Sequence, residues 1–322
     1  MFKLRSDLNK MVSKMPVIWQ LSVVQFELGT AVNGVALAEI YPSTYPEQFF
    51  NHHALGVIRS YANKPYAIKE LFISAGKEVY SVTTKNSGKF SLWLHGDTIN
   101  NIEIYADASC NTIVPIIQLY PVYYPLADQP IEIISDIDDT ILHSFTKTAM
   151  RRILTILLKQ PKHRKIVDFT RHLLGYARES RTKVYCVSKS EMNLFHLLTN
   201  ILVLNGISDS IVYLFDYLTY SGLLASREKN FKPEQISSIS QKSPGKRFCL
   251  IGDDTQADIS TYSDIAEQFP GRICSVFIRK TKAFNLHFQE FHYQRLHKLN
   301  IPILYFDEAT AFDTSMLKNI NH

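Results

Sequence analysis

From residue 131 onward, six short apolar runs recur, at 131–135, 183–187, 211–215, 247–251, 273–278 and 301–305, with helical patterns filling most of the intervals. Each run is near-continuously hydrophobic and does not alternate, as expected of strands covered on both faces. Strands of that kind joined by helices dictate an α/β fold, a doubly wound parallel sheet. Ligands of such sheets bind beyond the carboxyl ends of the strands. The first run belongs to IEIISDIDDTILHS (131–144) and leads straight into Asp136, Asp138 and Asp139. Like charges that close raise one another's pKa values, so the cluster must be solvated or hold a cation.

The residues before 130 have a different texture. In NIEIYAD (101–107), Ile102, Ile104 and Ala106 share one face of a half-buried strand. VYSVTTKNSGKFSLWL (79–94) reads as a hairpin turning at Lys85-Asn86-Ser87-Gly88, and further strands are expected at 22–28, 34–40, 55–61 and 112–120. Short strands with turn signals predict a smaller β-sandwich-like domain with a structural or docking role. The expected division is an N-terminal segment 1–19, a β-sandwich-like module 20–129, a catalytic domain 130–310 and a tail 311–322.

Composition restricts the partners. A formal charge of +5 is compatible with anionic ligands but too small to argue for nucleic acid, and none is expected. Cys110, Cys186, Cys249 and Cys274 are far apart with no CxxC spacing. They read as reduced thiols in a reducing, cytoplasmic setting and not as a zinc site. The apolar run near the start is broken by Gln20 and Gln25 and lacks a small-residue cleavage site, so no signal peptide is expected. The run at 111–127 carries Pro115, Pro121 and Pro125, which rules it out as a spanning helix.

Polar groups fall where a ligand would bind. Asp136 ends the first α/β strand, Ser188 the second and Asp253 the fourth. Asp138 and Thr140 follow Asp136 at intervals of two, and IGDDTQAD (251–258) adds Asp254 and Asp258. Carboxylates from two strand ends suit a hard cation that keeps part of its hydration, Mg2+ above all. Asp136, Asp138, Asp253, Asp254 and Asp258 are the expected ligands. Two alternatives stand beside that set: Asp254 as a helix cap, and Asp258 as a residue that orients a lysine. The group fits hydrolysis of a phosphate monoester through an aspartyl-phosphate. Asp136 would be the nucleophile, Asp138 the acid and base, and Thr140 and Ser188 the hydroxyl donors.

DIDDT resembles the DxDxT signature of haloacid-dehalogenase-type phosphatases, and Val187-Ser188 and GDDTQAD are similar to their second and fourth motifs. The resemblance implies a haloacid-dehalogenase-like Rossmannoid domain. Asp138 points to the phosphomonoesterases, since family dehalogenases and P-type ATPases lack an acid/base there. Across roughly 131–306, the chain resembles the catalytic domain of the actin-patch phosphatidate phosphatase family. That resemblance implies Lys232 as the third-motif lysine, with Lys229 as the second choice. It also implies Mg2+-dependent conversion of phosphatidate to diacylglycerol and phosphate. Where relatives tend to carry a neutral amide after the serine, this chain has Lys189, which bears on the substrate more than on the chemistry. The competing readings are a phosphatase for a soluble phosphomonoester or phosphoprotein, and a non-catalytic binding relative.

Two further stretches carry basic or histidine-rich patterns. KTAMRRILTILLKQPKHRK (147–165) combines an apolar helical stripe with basic flanks. It is expected either to make peripheral contact with anionic membranes or to be a core-facing helix with a solvated basic side. NLHFQEFHYQRLHKL (285–299) spaces His287, His292 and His297 five apart, off any single helical face. It reads as an amphipathic surface helix and not as a metal site.

Overall fold

The computed structural model describes residues 15–46, 55–96, 99, 101–142, 166–220, 230–255, 257–281 and 285–318. The basic stretch 147–165 lies outside the described residues. Two compact units form: 1–126 with 190–200 and 214–227, and 127–189 with 201–213 and 228–322.

The first unit is rich in β structure. Strands β1 (Val17–Phe26) and β2 (Gly29–Glu39) pair antiparallel through a tight turn. Next come β3 (Lys64–Pro65), β4 (Glu70–Ala75), β5 (Glu78–Thr83), β6 (Lys89–Leu94), β7 (Ile102–Tyr105) and β8 (Tyr123–Tyr124). One sheet has the order β3-β2-β1-β8 with β6 also on β2, and the other the order β5-β4-β7. A single apolar cluster draws on both, with Ile18, Leu21 and Val32 from the first and Leu71, Ile73, Val82 and Ile104 from the second.

Two local expectations are corrected here. The turn at 85–88 forms, with the Gly88 amide donating to the Lys85 carbonyl at 2.8 Å, but it does not close a hairpin. β5 pairs with β4 and β6 with β2, so the turn carries the chain from one sheet to the other. Gly88 (φ +75°) is bonded to Ala36 of β2, and a Cβ at Gly88 would lie 2.1 Å from the Ala36 carbonyl oxygen. Residues 55–60 are helical where a strand was expected. Gly56, Val57, Ser60 and Tyr61 are the buried positions, with spacings of three to four that belong to a helix.

The second unit is built on a six-stranded sheet. Its strands are β9 (Ile131–Ser135), β10 (Val184–Glu191), β11 (Ile211–Phe215), β12 (Arg247–Asp253), β13 (Ile273–Arg279) and β14 (Ile303–Phe306). The order is β11-β10-β9-β12-β13-β14. β9 is parallel to β10 and β12, and β13 is parallel to β12 and β14. The fold is thus mixed α/β with a parallel sheet. Strand order reverses between β9 and β12, which places a crevice at their carboxyl ends. The helices are α1 (Asp168–Glu179), α2 (Phe195–Leu204), α3 (Phe231–Lys242), α4 (Asp258–Gln268), α5 (Leu286–Lys298) and α6 (Ser315–Lys318). Phe169 of α1 stacks on Phe306 with ring centroids 4.1 Å apart. Ile133, Ile134, Leu250, Ile251, Val276 and Ile278 fill the sheet's interior.

Cys186, Cys249 and Cys274 are buried free thiols, and burial pushes the Cys274 thiol up to about 11. α5 is the surface helix that the pattern predicts. His292 is buried against Ser263 at 2.9 Å while His287 and His297 are exposed, so the three do not meet. Among the described residues, no helix is long and apolar enough to cross a membrane.

Candidate active site

Where β9 gives out, the Asp136 amide donates to the Ile251 carbonyl of β12 at 2.9 Å and fixes the residue at the switch point. Two residues on, Asp138 accepts from the Ser188 hydroxyl of β10 at 2.9 Å. Asp139 then takes a left-handed conformation (φ 56°), tolerable for aspartate, and the chain leaves the sheet. Its carbonyl accepts from Arg279 Nη1 at 2.6 Å. Thr140, fully buried, stands with Oγ1 3.4 Å from Asp253 Oδ2.

Lys232 enters from the first turn of α3. Its ammonium lies 3.0 Å from Asp136 Oδ1 and 2.7 Å from Asp258 Oδ1. Asp258 opens α4, and its other oxygen accepts from the Asp253 amide at 3.3 Å. This packing requires a glycine at 252, where a Cβ would lie 2.6 Å from Asp258 Oδ2. The Asp253 carboxylate is held by the Thr255 amide at 2.5 Å and by the Thr255 hydroxyl.

Burial raises the pKa of Asp136 well above the carboxylate range, with Asp258, Asp253 and Asp138 adding to the rise and Lys232 opposing it. Burial and the neighbouring Asp258 push Asp253 up to about 6, against its bonds from Thr255. Burial works against charge on Lys232, but Asp136 and Asp258 outweigh it and hold the ammonium firmly protonated. These negative groups therefore lack enough positive charge among themselves.

A cation fits that deficit. Asp136, Asp253 and Asp258 each offer an oxygen, all within 4.8 Å of one another, and all three are buried. Asp136 is 1% exposed, its Oδ2 accepts no hydrogen bond from a described residue, and its Oδ1 is met by the Lys232 ammonium. Buried carboxylate oxygens without such bonds are what a hard, oxygen-seeking ion would satisfy. The triad can hold a metal ion.

Of the residues expected from sequence, Asp136, Asp138, Thr140, Ser188, Lys232, Asp253 and Asp258 converge. Asp254 turns away, both its oxygens accepting from Thr281, from the amide at 2.8 Å and the hydroxyl at 2.5 Å. Asp138 also lies outside the triad, engaged by Ser188. Lys229 lies outside the described residues. Sequence reading missed Gly252 and Arg279. The signals were a glycine just before the strand-end aspartate, and an arginine closing the β13 run in register with Asp253.

Residues 131–280 match the family model described as the phosphatidate phosphatase APP1 catalytic domain. Phosphatidate phosphatase APP1 of Saccharomyces cerevisiae is 26% identical over 167 residues, 51% of this chain and 28% of the yeast protein. An uncharacterized Schizosaccharomyces pombe protein is 26% identical over 174 residues, 51% of this chain and 27% of that one. The chain thus matches little more than a quarter of the length of either relative. A class C acid phosphatase from Bacillus anthracis with tungstate bound superposes over 53% of this chain and 79% of its own, at 12% identity and a TM-score of 0.28.

Proposed function

We propose that this chain, whose residues 131–280 match the APP1 catalytic-domain family model, is a member of that family and a phosphoric monoester hydrolase, a Mg2+-dependent phosphatidate phosphatase. It would hydrolyse phosphatidate to diacylglycerol and phosphate through an aspartyl-phosphate. In the same reading the second unit is a doubly wound, haloacid-dehalogenase-like catalytic domain and the β-rich first unit a sandwich-like module. The observation that carries the proposal is the meeting of Lys232 with Asp136 and Asp258, at 3.0 and 2.7 Å, inside the acidic triad.

In this mechanism Asp136 attacks phosphorus in line and the bond to the lipid oxygen breaks. Asp138 gives its proton to the departing alkoxide. It then takes one from the water that attacks the aspartyl-phosphate, releasing phosphate and restoring Asp136. Ser188, donating to Asp138 at 2.9 Å, fixes that carboxyl group. Lys232 carries charge that develops on the phosphoryl oxygens, and Asp258 holds its ammonium in place. Asp136, Asp253 and Asp258 would hold Mg2+ with Asp138 close by, and Asp254 would brace the Thr281 backbone. A bound divalent ion screens carboxylate from phosphate and withdraws charge from the phosphoryl group. Phosphatidate resides in membranes, so peripheral contact with an anionic bilayer, in a cytoplasmic setting, completes the reading.

The test is phosphate release from phosphatidate, lysophosphatidate, p-nitrophenyl phosphate and a phosphopeptide, with Mg2+ and with chelator. Phosphatidate should be hydrolysed best, and only with Mg2+. Asp136→Asn should lower kcat by roughly 10³–10⁶-fold without shifting the melting temperature. Faster turnover of the soluble esters would move the substrate to the soluble class. Silence on all four would favour a non-catalytic relative.

A further inference from the structure

Strand β13 is buried along its whole length and ends on an arginine, Arg279, that is only 5% exposed. Burying a guanidinium is costly unless its donors are used. Nη1 donates to the Asp139 carbonyl at 2.6 Å, and Nη2 meets Glu308, whose side chain is 71% exposed, at 3.4 Å. The shorter of these two contacts goes to a peptide oxygen and not to the carboxylate. A buried cation is thus directed at one backbone carbonyl.

That carbonyl belongs to the strained residue of the site. Asp139 stands at φ 56°, between Asp138 and the buried Thr140. Aspartate tolerates the left-handed region only at some cost, and such a residue persists where its surroundings impose the conformation. The turn closes on the Ile137 carbonyl, which accepts from the Ile141 and Leu142 amides at 3.0 Å each. The carbonyls of Asp139 and Thr140 take donors from other elements: Arg279 of β13, and Thr170 Oγ1 of α1 at 2.9 Å. Arg279 is also in register with Asp253, so the β12–β13 pair sets both the acidic triad and the turn beside it.

We propose that Arg279 is a positioning residue: its guanidinium fixes the left-handed turn at Asp139 and so sets where the Asp138 carboxyl group stands. This rests on the phosphatase reading, in which the Asp138 proton passes to the lipid oxygen as the bond from phosphorus to that oxygen breaks. Arg279 acts on that step only through the backbone. Without it the Asp139 carbonyl loses a charged donor, the turn relaxes toward ordinary backbone conformations, and Asp138 moves off line. A displacement of about 1 Å costs about 10²-fold in rate. The loss depends on how much the leaving group needs a proton. A lipid alkoxide needs one, whereas p-nitrophenolate departs unprotonated.

The experiment compares Arg279→Met and Arg279→Lys with the wild type, in Mg2+, on phosphatidate in mixed micelles and on p-nitrophenyl phosphate. In Arg279→Met, kcat/KM should fall about 100-fold for phosphatidate and no more than about fivefold for p-nitrophenyl phosphate. Arg279→Lys keeps the charge and a donor but not the planar fork, and should lose about tenfold on phosphatidate. A merely structural defect lowers the amount of active enzyme and reduces both esters by one factor. Equal losses, or none, would overturn the proposal. Deuterium uptake gives a readout independent of turnover. In Arg279→Met the peptide 137–142 should exchange about tenfold faster while α3 keeps its wild-type protection, and unchanged exchange at 137–142 would also overturn the proposal. If both segments exchange faster, the Met variant has loosened throughout, and Arg279→Lys decides on the same criteria. If the wild type hydrolyses neither ester, the phosphatase reading fails. Faster exchange confined to 137–142 would then still assign Arg279 to the turn, and its absence would remove Arg279 as well.

Discussion

At the scale of single residues, two adjacent aspartates divide the work. Asp253 and Asp254 look interchangeable in GDDTQAD, but their surroundings differ. Asp253 shares a buried triad with Asp136 and Asp258, whereas Asp254 accepts two bonds from Thr281. Asp253→Asn removes a ligand charge and should weaken Mg2+ binding by about 10–100-fold, with a smaller effect on melting. Asp254→Asn turns an amide donor toward a residue that itself donates, and should cost about 1–3 kcal/mol of stability. Its Mg2+ affinity should stay within about twofold. Calorimetric Mg2+ titration and thermal melts of the two variants check this, and reversed effects would contradict the assignment. His196 offers a second test at this scale. It is buried edge-on to Trp19 at 4.2 Å, and burial pushes its pKa down to about 3. Its folded value is below its unfolded one, so the unfolded chain binds the extra proton. The stabilising contribution is complete above about pH 6.5 and drains away as pH falls toward 3, at up to about 1.4 kcal/mol per pH unit. His196→Phe should flatten the melting temperature between pH 6 and 4, and a variant with the wild-type slope would exclude this histidine as the source.

At the scale of elements, the α/β strands were readable because burial on both faces leaves an unbroken apolar run. β9 occupies 131–135 as read, and β12 and β13 begin where their runs begin and extend one or two residues further. The acidic site was readable for a related reason. Its side chains sit at the ends of those strands, so locating the strands also located Asp136, Ser188 and Asp253. Lys232 was reached only through family resemblance, since nothing in FKPEQISS marks a lysine that will be buried between two carboxylates. The first unit was harder to read. Whether β5 and β6 pair with each other or with separate partners depends on Gly88 docking on Ala36, fifty-two positions earlier in the chain. No local pattern encodes such a contact. The helical stretch at 55–60 was missed because Val57 and Ile58 are β-favouring, while tertiary burial of Val57, Ser60 and Tyr61 selects the helical period.

At the scale of the whole molecule, the division at 129/130 expected from composition meets a more interleaved chain. The first unit includes 190–200 and 214–227, both from the later half of the sequence. Within it, the Trp19 indole donates to the Met192 carbonyl at 3.0 Å, Asn63 donates to the Tyr217 hydroxyl at 3.1 Å, and Lys89 pairs with Asp216 at 3.1 Å. Leu194, Phe195, Leu197, Leu198 and Tyr217 are all buried. A fragment of 130–322 would keep those side chains and lose Trp19, Ser60 and Asn63, leaving apolar surface worth about 1.5–3 kcal/mol per large side chain exposed to water. Several such losses approach the whole stability of a typical domain. The fragment should therefore aggregate, or melt at least about 10 °C below the full chain. If the proposed phosphatase activity is present, that of the fragment should decay on warming well before that of the full chain. Scanning calorimetry and limited proteolysis of the two proteins decide the matter. A fragment that melts with the full chain and matches its kcat would show that 130–310 folds as an autonomous catalytic domain, as composition alone suggests.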